Sequence, residues 1–228
     1  AVAAVQPAAA QTVYLVDRPG AEQTVILAAL PGPQRNDPQF VAAQTMNTTL
    51  GGAFVSRLNM NLREGKGWSY GSRSLLQPAR GPGLFAALAP VQSDKTKESV
   101  AEVRRELREI TADRVITADE AANAQSNLIQ RLPGSWETTT ALRGALAQQV
   151  IYGLPEDYWD TYAGTVRALT VNDLNQAAVR VVNNNALTWI IVGDRAKIEQ
   201  GVRELNIGPI QVIDADAQPV GQTRAAAR

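Results

Sequence analysis

The short β-branched, apolar runs of this chain fall in adjacent pairs, and that arrangement narrows the folds open to it more than any other feature. Thr12 to Val16 and Thr24 to Leu30 are separated only by DRPGAEQ, and Ser69 to Gln77 and Leu84 to Val91 only by PARGPG. Each pair reads as two strands joined by a turn, so the chain is expected to start antiparallel. Ala186 to Val192 is almost continuously apolar, which predicts a central strand, and Pro209 to Ile213 reads as a last short one. Between these runs the apolar period is helical. Asp37 and Pro38 open a helix whose stripe of Phe40, Val41, Met46 and Leu50 stops at Gly51-Gly52. A second helix is predicted from Phe54 to Glu64, ended by Gly65 and Gly67. Asp94 to Ile110 carries Val100, Val103, Leu107 and Ile110 on one face. Thr117 to Glu120 has capping-box spacing and opens a helix ending near Leu132-Pro133-Gly134. Ser135 to Tyr152, Pro155 to Arg167, Thr170 to Val182 and Asp194 to Leu205 complete the set. Paired strands with helices grouped in the second half predict an α+β two-layer sandwich, one mixed or antiparallel sheet covered by helices.

An apolar share of 45% over 228 residues supports one good core. The expected organisation is a linker or disordered segment over 1–11, one domain over 12–213, and a disordered tail over 214–228 rich in Ala, Gln and Pro. The opening AVAAVQPAAA lacks a basic n-region and a compact Leu-rich core, so it does not read as a signal peptide. With no Met at its start, the chain reads as an excised or processed piece of a longer protein. No stretch approaches the roughly 20 apolar residues of a bilayer span. Lys plus Arg and Asp plus Glu are equal at 22 each without a basic block, which argues against nucleic acid as a partner. The absence of cysteine excludes a disulfide framework and fits an oxidising or a reducing compartment equally. The Ala-rich, cysteine-free composition suggests a bacterial periplasm or envelope location.

The chain has no histidine and no cysteine, so a zinc site with nitrogen or sulfur ligands cannot be built from it alone. Hydrolytic chemistry would have to be shared with another polypeptide segment. What chemistry remains concentrates in LGGAFVSRLNMNLREGKGWSYGS, from Leu50 to Ser72, which sets Arg63 and Tyr70 seven residues apart across a helix-to-strand turn. Gly65 and Gly67 let the chain reverse there. A guanidinium and a phenol brought to one side could donate hydrogen bonds to a peptide carbonyl or to the oxyanion it becomes. The competing readings are structural: a basic residue suits the last turn of a helix, and a strand tyrosine is usually packing. Glu102, Glu106 and Glu109, beside Arg104, Arg105 and Arg108, read as solvent-facing ion pairs. Ser56 has no histidine to activate it. Arg57 reads as the structural partner of a nearby loop or carboxylate. Trp136, Trp159 and Trp189 read as core or contact residues, and Trp68, close to Tyr70, is a possible cleft residue.

The same stretch resembles the signature of the C-terminal half-domain of the pitrilysin-type zinc metallopeptidases, the family of insulin-degrading enzyme and the mitochondrial processing peptidase. Gly51-Gly52, Ser56-Arg57-Leu58, Leu62-Arg63-Glu64 and Tyr70 occupy the places of that signature. LPEDYWDTYAGTVRALTVNDLNQAAVRVV and ALTWIIVGD are similar to the family's closing segments, so the likeness runs from about Tyr14 to Ile213. Trp68-Ser69 departs from a usually smaller pair. The resemblance implies a half-domain like that of the processing peptidase, with Gly51 and Gly52 as a structural motif. It also implies that zinc sits in a partner half, held by an inverted H-x-x-E-H motif and a distant glutamate. This chain would bind no cofactor and be inactive alone. Its Arg63 and Tyr70 would reach across the cavity to the backbone of a peptide substrate, completing the cleft of a zinc metalloendopeptidase. The catalytic half would lie on the same chain or on a separate subunit. Two alternatives follow: a proteolytically inactive scaffold, like the core subunits of the respiratory bc complex, and a peptide-binding subunit or module that uses an exposed sheet edge.

Overall fold

The computed structural model describes residues 5–220. Six strands, β1 (Thr12–Asp17), β2 (Gln23–Gly32), β3 (Arg73–Gln77), β4 (Gly83–Gln92), β5 (Thr188–Gly193) and β6 (Ile210–Ile213), form one sheet in the order β3-β4-β2-β5-β1-β6. β1 runs parallel to β5 and β6, whereas β2 is antiparallel to β4 and β5 and β3 is antiparallel to β4. The sheet is therefore mixed, and with its helices it makes the α+β sandwich that the paired strands predict.

The antiparallel start does not form as a hairpin. β5 enters between β1 and β2, with Ile191 level with Leu15 on one side and Ile26 on the other. The reason is burial. Val13 and Leu15, Ile26 and Ala28, Trp189 and Ile191, and Ala87 and Ala89 all lie buried on one face when the strands take this order. β5 is central as expected, but its alternate residues Thr188, Ile190 and Val192 are only half-buried, so just one face carries the core.

The helices are α1 (Phe40–Asn47), α2 (Arg57–Asn59), α3 (Thr96–Glu109), α4 (Ala118–Gln130), α5 (Thr139–Tyr152), α6 (Tyr158–Ala168), α7 (Val171–Val181) and α8 (Arg195–Glu204). One continuous core joins the sheet to Met46, Leu58, Leu62, Val103, Leu107, Leu174 and Ile198. A smaller cluster of Val41, Tyr162 and Val166 ties α6 to α1. Reciprocal capping boxes close the starts of α4, through Thr117 and Glu120, and of α7, through Thr170 and Asp173. Among the described residues no helix is long and apolar enough to cross a membrane.

Both outer strands are engaged. At β3, Asn47 Nδ2 donates to the Ser74 carbonyl at 3.3 Å and the Gly51 backbone lies against Ser74. At β6, the chain turns after Asp214 and comes back, with Ile213 bridging Pro219 and Val220 N donating to Val212 O at 2.9 Å. These contacts occupy part of each edge. Of the terminal segments, residues 1–4 of the expected linker and 221–228 of the expected tail lie outside the described residues.

Candidate substrate-contact site

Leu50 to Ser72 folds into two short helices of unusual pitch and an anchored turn. α1 passes directly into a π-helical segment, Thr48–Gly52, and α2 into another, Met60–Gly65. Wider turns of this kind recur at functional sites. Gly51 is where the first meets the sheet: a Cβ there would fall 2.0 Å from Ser74 N and 2.7 Å from the Arg73 carbonyl carbon. The glycine pair thus lets helix backbone touch strand backbone. The predicted helix from Phe54 begins instead at Arg57, because Asn59 Nδ2 takes the Phe54 carbonyl at 2.8 Å.

Arg57 is buried and holds the base of the site. Its Nε and Nη2 each meet a Glu120 oxygen at 2.7 Å, Nη2 also donates to the Val115 carbonyl at 3.1 Å, and Nη1 donates to the Arg114 carbonyl. This is the structural partner of a loop and a carboxylate that its position suggested. Burial alone would raise the Glu120 carboxyl, but Arg57 and Thr117 outweigh it and hold the group below the ordinary carboxylate range.

Arg63 lies in the second π-helical segment with its guanidinium 4.9 Å from the Phe54 ring centroid and Nε 3.2 Å from the Glu64 carboxylate. An exposed carboxylate therefore takes the Nε edge of the guanidinium, and the rest of the fork stays open to solvent. Gly67, at φ 65°, reverses the chain, its N–H donating to Arg63 O at 2.9 Å while Trp68 N donates to Leu62 O at 2.9 Å. Trp68 then packs inward against the core under Lys66. Ser69 Oγ donates to the Pro90 carbonyl at 2.5 Å and accepts from Gly71 N at 3.1 Å; Ser72 N donates to Asn59 Oδ1 at 3.2 Å. Tyr70 sits between these anchors and is 88% exposed, in a turn that precedes β3 and not in a strand. Packing does not explain its ring.

Among the described residues Arg63 and Tyr70 make no hydrogen bond to each other. What joins their segments is Asn59, buried at the base of both, which accepts from Ser72 N and donates to Phe54 O, the residue whose ring lies under Arg63. Asn61 does a parallel job on the other side, donating to Glu102 at 2.8 Å and to Glu106 at 2.7 Å. That corrects the reading of these glutamates as solvent-facing. Glu106 is 2% exposed and also receives Arg114, and Glu102 is half-buried, because positions 102 and 106 face α2 and its π-helical extension rather than water. Burial pushes Glu102 up, yet Asn61, Arg105 and Lys66 together hold it below its ordinary value. Phe54, Val55 and Met60 leave an exposed apolar surface in the same stretch, and a cleft of about 500 Å³ opens between Val55, Met60, Arg105 and Glu106.

The sequence has neither histidine nor cysteine, and no three of its acidic side chains gather into a metal cage among the described residues. What the site offers is hydrogen-bond donors and apolar contact.

The family model described as the peptidase M16 inactive domain matches residues 2–128. No curated protein matches the sequence significantly. Among solved structures, the peptidase M16 inactive domain from Pseudomonas fluorescens aligns at 24% identity and a TM-score of 0.75, over 85% of this chain and 46% of that one. The inactive peptidase domain of a candidate zinc protease from Bordetella parapertussis aligns at 19% identity and a TM-score of 0.65, over 76% of this chain and 93% of that one. A chain of Complex III from Candida albicans aligns at 13% identity and a TM-score of 0.69, over 85% and 49%. Identities this low carry the fold alone. The chain spans less than half the length of the first solved chains it matches.

Proposed function

We propose, because this chain belongs to the peptidase M16 inactive-domain family, that it is the non-catalytic half of a zinc metalloendopeptidase, completing the substrate cleft of a zinc-bearing partner half. Arg63 and Tyr70 are the residues that touch the peptide backbone beside that zinc. The observation that carries this reading is Tyr70: a phenol held on a turn tied down on both sides, yet exposed and without a hydrogen-bond partner among the described residues. A loop ordered at that entropic cost, with its polar tip left free, suits a donor awaiting a ligand. The exposed fork of Arg63 supplies a second donor. Phe54, Val55 and Met60, and the apolar outer face of α5 at Leu142, Leu146, Val150 and Ile151, suit contact with a partner half.

In the joined enzyme, Arg63→Ala and Tyr70→Phe are expected to lower peptide turnover by about one to three orders of magnitude, the scale of one lost transition-state donor. Zinc content and melting temperature stay as in the wild type. Full turnover with a lowered melting temperature in both variants would make the pair structural. A second reading, an inactive scaffold, is favoured by the likeness to the Complex III chain. A partner half with a degenerate H-x-x-E-H motif would select it.

A further inference from the structure

Between the start of α1 and the turn joining α5 to α6 lies a cleft of about 430 Å³, a volume that small organic ligands fill. Arg35 lines it and is only 5% exposed. Its guanidinium carbon is 4.7 Å from the Phe40 ring centroid and 4.8 Å from that of Tyr158, so the group is held between two aromatic rings. Stacking fixes the plane of the fork but satisfies none of its N–H donors. Among the described residues the Arg35 side chain has neither an ion pair nor a hydrogen bond, and its backbone N–H alone is bonded, to Ala79 O at 3.2 Å. A cation this buried is ordinarily paired.

The cleft does not neutralise it. Asp37, the one carboxylate among its lining residues, is taken by Arg180 at 3.0 Å and by Gln39 N at 2.8 Å. Tyr162 donates to Gln44 Oε1 at 3.0 Å, and burial pushes its phenol well above the ordinary value, so it stays neutral. Tyr158, whose ring lines the cleft, keeps its hydroxyl buried without a hydrogen-bond partner. Val41, Leu154 and Pro155 give the cleft apolar walls.

We infer that this cleft binds the carboxylate of an organic acid with an apolar body, a class that includes the free C-terminus of a short peptide. The planar fork of Arg35 receives both carboxylate oxygens, a pairing that the guanidinium makes bidentately. One of those oxygens also accepts the Tyr158 hydroxyl. The cleft shares no residue with the Arg63 and Tyr70 face, so the inference does not rest on the proposed function.

Calorimetric titration of the full 228-residue chain with four probes tests it: N-acetyl-leucine, an N-acetylated tripeptide ending in a free leucine carboxylate, the same tripeptide as its amide, and inorganic phosphate. Saturable binding of an acid, weakened about tenfold or more in the amide, is expected. N-acetyl-leucine binding alone names a small acid as the ligand; tighter tripeptide binding names a peptide C-terminus. Arg35→Gln should abolish binding, and Tyr158→Phe, which keeps the ring stack, should weaken it about threefold to tenfold without lowering the melting temperature. If Arg35→Gln does not fold, the acid-against-amide comparison and Tyr158→Phe decide. The inference is overturned if no acid saturates below about 10 mM, if acid and amide bind alike, if inorganic phosphate binds as well as the acids, or if Tyr158→Phe binds as the wild type does.

Discussion

Replacing Arg57 by alanine is the sharpest test of how the site is held. Arg57 is 7% exposed at its side chain and carries four hydrogen bonds, two of them to Glu120, which is 30% exposed. Removing one partner of a fully buried ion pair costs about 3–5 kcal/mol. Here Glu120 keeps some solvent and its bonds from Thr117 N at 3.0 Å and Thr117 Oγ1 at 3.2 Å, so its stranded charge is partly screened. We therefore expect a loss of about 2–3 kcal/mol, and for a chain of this length a melting temperature about 5–10 °C lower. Arg57→Lys should recover less than half, because an ammonium cannot fork. Protonation supplies an independent check. The folded carboxyl of Glu120 titrates below its ordinary 4.5, so its contribution is complete above that value and is lost as pH falls through the folded value. The gap between wild type and Arg57→Ala, read by circular dichroism melts from neutral pH downward, should narrow below 4.5. A variant that melts within about 2 °C of the wild type, or a gap that does not change with pH, would refute the argument.

Two further outcomes follow from the geometry. Gly51→Ala sets a Cβ against the backbone of Arg73 and Ser74, where no flexible side chain can give way, and should cost about 1–3 kcal/mol or more; an unchanged thermal melt would mean that the helix does not press on β3. Chelator should leave the melting temperature of this chain unchanged and metal analysis after dialysis should find no stoichiometric zinc, because the sequence has no nitrogen or sulfur ligand of the usual kind; a tightly held zinc in the chain alone would overturn the division of labour proposed above.

Local signals carried the elements and failed at their partners. Thr117 with Glu120 and Thr170 with Asp173 announce helix starts three residues wide, and the reciprocal bonds form as the spacing requires. The apolar run at β5 betrays a central strand, but nothing near β1 and β2 says that β5 will separate them, since that choice is made by matching buried faces across the whole chain. Glu106 reads as surface because glutamates usually are; its burial depends on Asn61 and Arg114 arriving from elsewhere. Spacing and resemblance single out Arg63 and Tyr70 as the pair proposed for substrate contact, whereas Phe54 and Asn59, which lie beneath their segments, do not stand out. One signal was available. Asn59 and Asn61 sit in a predicted helix interior that asparagine disfavours, and such residues stay there when tertiary hydrogen bonds repay them. Arg35 offered no signal, because its burial is created by Phe40 and by Tyr158 of a distant helix.

Whether Tyr70 meets the substrate is measured most directly by placing a photo-crosslinking phenylalanine analogue at position 70 in the joined enzyme, with the partner's catalytic glutamate disabled so that bound peptide survives. An exposed ring on an anchored turn tolerates the bulk. The account predicts that irradiation joins position 70 to the peptide, near its scissile bond, and that excess unlabelled substrate suppresses the product. Crosslinks only to the partner half, undiminished by substrate, would show that this face is an interface between halves, and the assignment of Tyr70 to substrate would fall.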